Sequence, residues 1–152
     1  MTYDEILLAS DGSDAAEAAA DHALRLAEAF DSTLHIVYIL NVAEPSPDVD
    51  DSAEHPELRA KRERALEYPS DRAGRADVSV TTAAVRGSPS DALVTYASEE
   101  EIDLIVMGTH GRGGLDRLLV GSVAEHVVRN APAPVVTVRP DQRDAIREET
   151  SQ

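Results

Sequence analysis

Gly-Thr-His-Gly-Arg-Gly-Gly-Leu-Asp-Arg-Leu-Leu-Val-Gly-Ser, residues 108–122, sets glycine-rich backbone between an apolar run, Ile102 to Met107, and an amphipathic segment, Ser122 to Asn130. A strand-to-helix junction of this kind is where phosphate groups bind. Gly108, Gly111, Gly113 and Gly114 let main-chain N–H groups approach an anion without interference from Cβ, and the helix after Gly121-Ser122 offers the positive end of its dipole. The ligand this composition predicts is a nucleotide.

The rest of the chain repeats the same strand–turn–helix unit. Residues 3–9 are β-prone and stop at Ser10-Asp11-Gly12, a turn signal. From Ser13 a helix is specified: Ser13 suits the N-cap, Asp14 and Glu17 suit the first turn, and Ala16, Ala20, Ala23, Leu24, Ala27 and Phe30 recur on one face until Asp31-Ser32. Thr33 to Leu40 is apolar at nearly every position and rich in β-branched and aromatic residues, as expected of a parallel strand buried on both faces. Pro45, Pro47 and Pro56 among several acids mark 41–56 as a solvated loop, and a charged helix is expected from about Glu57 to Tyr68. Val78 to Val85 is the third strand. Ser88, Pro89 and Asp91 then supply an N-cap, a first helical position and a capping-box-like acid for a helix to about Glu100. Ile102 to Met107, Ser122 to Asn130 and Val135 to Val138 complete the series as strand, helix and strand, before a polar tail.

Strict alternation predicts an α/β fold: one open, five-stranded, mostly parallel, Rossmann-like sheet with helices on both faces, occupying residues 1–140, with 141–152 as tail. Ligands of such folds bind outside the carboxyl ends of the strands, where strand order reverses. Ser10-Asp11-Gly12 and the segment opening at Gly108 both follow strand ends, so both belong to that edge.

Composition narrows the function. The chain has 152 residues and 42% hydrophobic content, enough for one core that buries about two thirds of the unfolded surface. No apolar run reaches the roughly 18 residues of a membrane span, and the start Met-Thr-Tyr-Asp-Glu has no basic region, so a cytoplasmic location is expected. The absence of cysteine excludes disulfides, Cys-based zinc sites, iron–sulfur clusters and thiol catalysis. A formal charge of −15, from 29 acids against 14 bases, opposes binding to nucleic acid or anionic membranes. Lys61 is the sole lysine. Acids spread along the whole chain with arginine as nearly the only cation resemble cytoplasmic proteins of salt-loving organisms.

Among nucleotide signatures, a Walker loop is excluded because no Gly-Lys-Ser/Thr occurs, and Ser10-Asp11-Gly12-Ser13 lacks the three glycines of the dinucleotide fingerprint. A hydrolase elbow, Gly-x-Ser-x-Gly, is also missing. What remains is Gly108, two residues, Gly111, nine residues, then Gly121-Ser122. In this spacing the chain resembles the universal stress protein family, in its ATP-binding subgroup. The resemblance extends in order through Ile-Leu-Leu-Ala-Ser-Asp-Gly-Ser at 6–13, Val-Arg-Gly-Ser-Pro at 85–89, Asp-Leu-Ile-Val-Met-Gly-Thr-His-Gly at 103–111 and Pro-Val-Val-Thr-Val at 134–138. Residues 41–77 depart from it, being short and unusually acidic.

The resemblance implies strand order 3-2-1-4-5, ATP across the strand ends, and a homodimer through the last strand. Gly108, Gly111, Gly121 and Ser122 would hold the phosphates, while Ser122 with Glu125 three residues on also makes a capping-box pattern in its own right. Asp11 would approach them through Mg2+ or Mn2+, since two anionic groups that close need a cation between them. The main chain of Ile39 would address adenine. Ser10, Gly87, Met107, His110, Arg112 and Val123 would line the same cleft, with His110 contributing backbone and not a catalytic base. Arg112 and Arg117, with Arg86 on another strand end, are the cations available to offset the repulsion between ATP and so acidic a protein. No base other than Asp11 is in view, so the expected activity is nucleotide binding with slow hydrolysis or none. A nucleotide hydrolase or nucleotidyl transferase using this cleft, and a ligand-free interaction module, are the alternatives.

The charge distribution makes folding salt-dependent. Raising KCl from about 0.1 M to about 3 M shortens the Debye length from about 10 Å to below about 3 Å and screens self-repulsion. The thermal midpoint is expected to rise steeply over that range in scanning calorimetry; a midpoint indifferent to salt would exclude a salt-adapted surface.

Overall fold

A computed structural model describes residues 3–40, 56–109 and 121–140. The elements in chain order are β1 (Glu5–Ala9), α1 (Asp14–Phe30), β2 (Thr33–Leu40), α2 (Pro56–Arg75), β3 (Ser79–Arg86), α3 (Pro89–Glu99), β4 (Leu104–Gly108), α4 (Ser122–Asn130) and β5 (Val135–Val138). The strands form one parallel sheet in the order β3-β2-β1-β4-β5, as expected. The chain starts at the centre, moves outward through β2 and β3, and returns to place β4 beside β1. The reversal of strand order therefore falls between β1 and β4.

The two faces are built differently. On one, α1 and α2 cover Ile6, Leu8, Leu34, Ile36, Leu104 and Val106; on the other, α3 and α4 cover Leu7, Val37, Ile105 and Met107 with Leu93, Ala97, Ala124 and Val127. Central strands alternate between two cores and so read as continuous apolar runs. The outer strand β3 is exposed at most positions, with Val80 packing partly against the first core and Ala83 and Val85 against the second.

Local signals set most boundaries. Ser13 caps α1 as expected, its hydroxyl accepting the Ala16 N–H at 3.1 Å, and Asp31 ends the helix in the left-handed conformation. Phe30 departs from expectation: it leaves the buried face and stacks edge-on against Tyr3 at 5.2 Å, 36% exposed. β1 begins at Glu5 because the Asp103 carboxylate takes the Asp4 and Glu5 N–H groups, each at 2.9 Å, while the Tyr3 carbonyl accepts the Ser32 hydroxyl. β4 starts at Leu104 and not Ile102, whose N–H still closes α3 on the Ala97 carbonyl.

α2 differs most. It continues past Tyr68, through Pro69, to Arg75. A proline inside a helix removes one hydrogen bond, and here α2 is held in register by outside partners: the Tyr68 hydroxyl donates to Asp21 on α1 at 3.0 Å, and Arg72 pairs with the same carboxylate at 3.3 Å.

The amino-terminal half of the sheet holds a polar cluster that sequence reading passes over. His35, buried on β2, sits between the Glu5 carboxylate, 2.5 Å from Nε2, and the Tyr96 hydroxyl, 2.8 Å from Nδ1. Burial first, then the Glu100 and Glu5 carboxylates, push the Tyr96 phenol above its usual range and keep it protonated. A protonated phenol can donate to Nδ1 while Nε2 faces Glu5, so both ring nitrogens have partners. Among the described residues no helix is long and apolar enough to cross a membrane.

Tyr96→Phe leaves Nδ1 of a buried imidazole unpartnered and is expected to cost about 1–2 kcal/mol in urea denaturation. No loss would mean that the phenol contributes only packing.

Candidate functional site

Three helices begin at the carboxyl edge of the sheet, around a cleft of about 350 Å³. Ser13 before α1, Pro89 at the start of α3 and Ser122 at the start of α4 all belong to its wall. Its inner part is apolar, made by Val37, Ile39, Leu93 and Met107, and its mouth is polar, with Asp11, Ser13, Thr109, Gly121 and Ser122. That size and division suit a mononucleotide-sized ligand with an apolar ring and a polar end.

The helix ends are not equivalent. At α1 the first-turn donors already have a partner in the Ser13 hydroxyl, and Asp14 and Glu17 add negative charge. At α3 and α4, among the described residues, no side chain caps the first turn. This corrects two sequence readings. Ser88 occupies the N-cap of α3 with extended backbone but makes no side-chain cap, and Asp91 turns to His126 on α4 at 3.1 Å. The Ser122–Glu125 capping box is also not formed: Gly121 is the N-cap, Ser122 is the first helical residue with an exposed side chain, and Glu125 pairs with Arg129 at 2.9 Å. A glycine cannot cap with a side chain, so among the described residues no side chain takes the first-turn N–H donors of α4, whose opening residues line the cleft.

The residues expected from sequence sort into three groups. Ser10, Asp11, Ile39, Met107, Gly108, Gly121, Ser122 and Val123 are brought together in one wall from four separate segments. Gly87 lies at the turn into α3, outside the wall; its φ of 151° and its N–H bond to the Leu40 carbonyl at 3.0 Å explain the glycine, and Pro89 takes the place beside the cleft. His110, Gly111 and Arg112, with Gly113, Gly114 and Arg117, lie outside the described residues. Arg86 ends β3 with an exposed side chain. His126, partly exposed on α4, joins that helix to α3 through Asp91.

Two of the clustered residues carry structural duties as well. The Asp11 carboxylate accepts the Ser13 N–H at 2.9 Å and so shapes its own turn. Ser10 is buried, with its N–H on the Val37 carbonyl and its hydroxyl donating to the Ala65 carbonyl in α2 at 2.6 Å. Sequence reading missed Thr109, Val37, Pro89 and Leu93, which no motif marks; only the position of Thr109 after a strand end and of Pro89 at a helix start hints at those two. Thr109 roots the glycine-rich loop: its N–H bonds the Val138 carbonyl at 3.0 Å, and its carbonyl accepts the Gly121 N–H at 2.6 Å. Among the described residues no group of three or more His, Asp or Glu is arranged to hold a metal ion.

Comparison with known proteins agrees with this architecture. The family model described as universal stress protein family matches residues 2–139. A universal stress protein of Methanocaldococcus jannaschii is 36% identical over 148 residues, covering 93% of this chain and 85% of the relative. Of solved structures, universal stress protein UspA from Lactobacillus plantarum superposes with a TM-score of 0.72 at 30% identity, covering 91% of this chain and 99% of that one. A universal stress protein solved in complex with cAMP gives a TM-score of 0.68, also at 30% identity, over 92% of this chain and 99% of its own.

Gly108 joins the cleft to the core. A Cβ there would stand 2.7 Å from the Ala15 Cβ and 2.9 Å from the Ala15 carbonyl carbon, closer than real contacts allow. Gly108→Ala is expected to destabilise the fold by about 1–3 kcal/mol, seen as a lower urea midpoint. An unchanged midpoint would show that α1 can withdraw from β4 without cost.

Proposed function

The chain belongs to the universal stress protein family, and on that premise we propose that its strand-end cleft binds ATP. The observation that carries this reading is the uncapped amino end of α4, opening onto an apolar cleft at the point where strand order reverses. The relative solved with cAMP supports an adenine nucleotide as the ligand class. Adenine occupies the apolar part beside Val37 and Met107 and is addressed by the main chain of Ile39. The phosphates lie against Gly108, Gly121 and Ser122 and the segment holding His110, Gly111 and Arg112. Mg2+ or Mn2+ is carried by those phosphates, with Asp11 as the carboxylate that the described part of the wall offers it.

Binding and not fast turnover is the role this cleft favours. Hydrolysis needs a residue that orients water, and Asp11, with one oxygen on the Ser13 N–H and the other toward the cation, is poorly free for it. The protein acts in this reading as a nucleotide-responsive homodimer, paired through β5, which lies at the sheet edge with Val135 and Val136 only half-buried.

Calorimetric titration with Mg·ATP in high salt tests the proposal. Saturable one-site binding is expected, and Ser122→Ala should weaken it about three- to tenfold through loss of one hydroxyl contact to a charged group. Absence of binding by the unaltered protein would remove the reading. Multiple turnovers per protein that vanish with Gly121→Val would move it to the enzyme class.

A further inference from the structure

Ser10 closes a hydrogen-bond gap in a helix to which it does not belong. Pro69 lies inside α2 and is fully buried, and a proline has no N–H to give to the carbonyl four residues back. That carbonyl is Ala65's, on a residue 1% exposed, where an unmet acceptor is costly. The Ser10 hydroxyl donates to it at 2.6 Å, across 55 residues of sequence. Ser10 is also the first residue of the turn that carries Asp11 into the cleft, and its N–H is fixed on the Val37 carbonyl.

We infer that Ser10 is a positioning residue whose hydroxyl replaces the missing Pro69 amide, making α2 and the Ser10–Asp11 turn one mechanical unit. The hydroxyl has a single hydrogen, and Ala65 takes it, so Ser10 donates nothing to a ligand. It acts on the cleft by holding the turn. Asp21 strengthens the unit from the α1 side, since its contacts with Tyr68 and Arg72 bracket Pro69. Order in α2 and occupancy of the cleft are thereby coupled, although no described residue of α2 belongs to the wall.

The test is a double-mutant cycle on the full chain with Ser10→Ala, Pro69→Ala and the pair, followed by urea denaturation and by Mg·ATP titration. Pro69→Ala restores an amide to Ala65 and makes the Ser10 hydroxyl redundant. Ser10→Ala alone should lower the folding equilibrium constant about tenfold and weaken ATP binding about fivefold. With Pro69→Ala present, both effects of removing the hydroxyl should shrink below about twofold. If Ser10→Ala alone does not fold, the pair decides: it should fold and bind as Pro69→Ala does.

A loss of affinity that persists in the Pro69→Ala background would mean direct contact between Ser10 and ligand, and would overturn the inference. So would additive effects on folding, or an affinity untouched by Ser10→Ala. The affinity arm rests on the ATP reading, whereas the folding arm does not. If the unaltered protein fails to bind ATP, that reading falls by itself, and the folding cycle still accepts or rejects the link between Ser10 and Pro69.

Discussion

The close approach of α1 to the end of β4 is the constraint on which the cleft depends. Ala15 meets Gly108 with no space for one more carbon, and the buried face of α1 is made almost wholly of alanines, among them Ala16, Ala19, Ala20, Ala23 and Ala27. Small side chains let a helix lie near a sheet, and density then replaces the bulk of larger residues. The volume between them is filled from the sheet side by Ile6, Leu8, Ile36 and Val106. Because α1 is pressed in at its first turn, the Ser10–Asp11 turn and the end of β4 stand side by side.

The two ends of the sheet treat polar groups in opposite ways. At the amino edge His35, Glu5, Tyr96 and Asp103 satisfy one another and the first amides of β1. At the carboxyl edge α3 and α4 leave their first turns without side-chain caps. The closed set adds stability, and the open set can accept an anion. A fold that exposed both edges would have to stabilise two uncapped surfaces at once.

What the sequence discloses follows from how far each signal reaches. α1, β2, α4 and β5 were readable nearly to the residue, because their caps and apolar periods are written within one turn or one strand. α2 was not: Pro69 is a stop signal by local rules, and only Ser10, Asp21 and α1 itself, distant in sequence, let the helix run on. Ser88 and Ser122 show the converse, where a local capping pattern is present and the structure uses Asp91 for His126 and Glu125 for Arg129. Within the cleft the glycines and Asp11 announce themselves by motif. Val37, Leu93 and Thr109 do not, since an apolar or small polar residue within a strand, a helix or a turn looks the same whether it faces a ligand or a neighbour.

The root of the glycine-rich loop has a consequence for how this protein can change. Thr109 and Gly121 are joined by a backbone hydrogen bond, and Thr109 is joined in turn to Val138, so the chain leaves the sheet and returns to it at one fixed point. Closure cost grows only slowly with the length enclosed, by about 0.6 kcal/mol per doubling. A change in the length enclosed between those two residues therefore alters that closure cost only slightly. The junction itself rests on main-chain groups, which survive any side-chain replacement at Thr109 or Gly121 except proline.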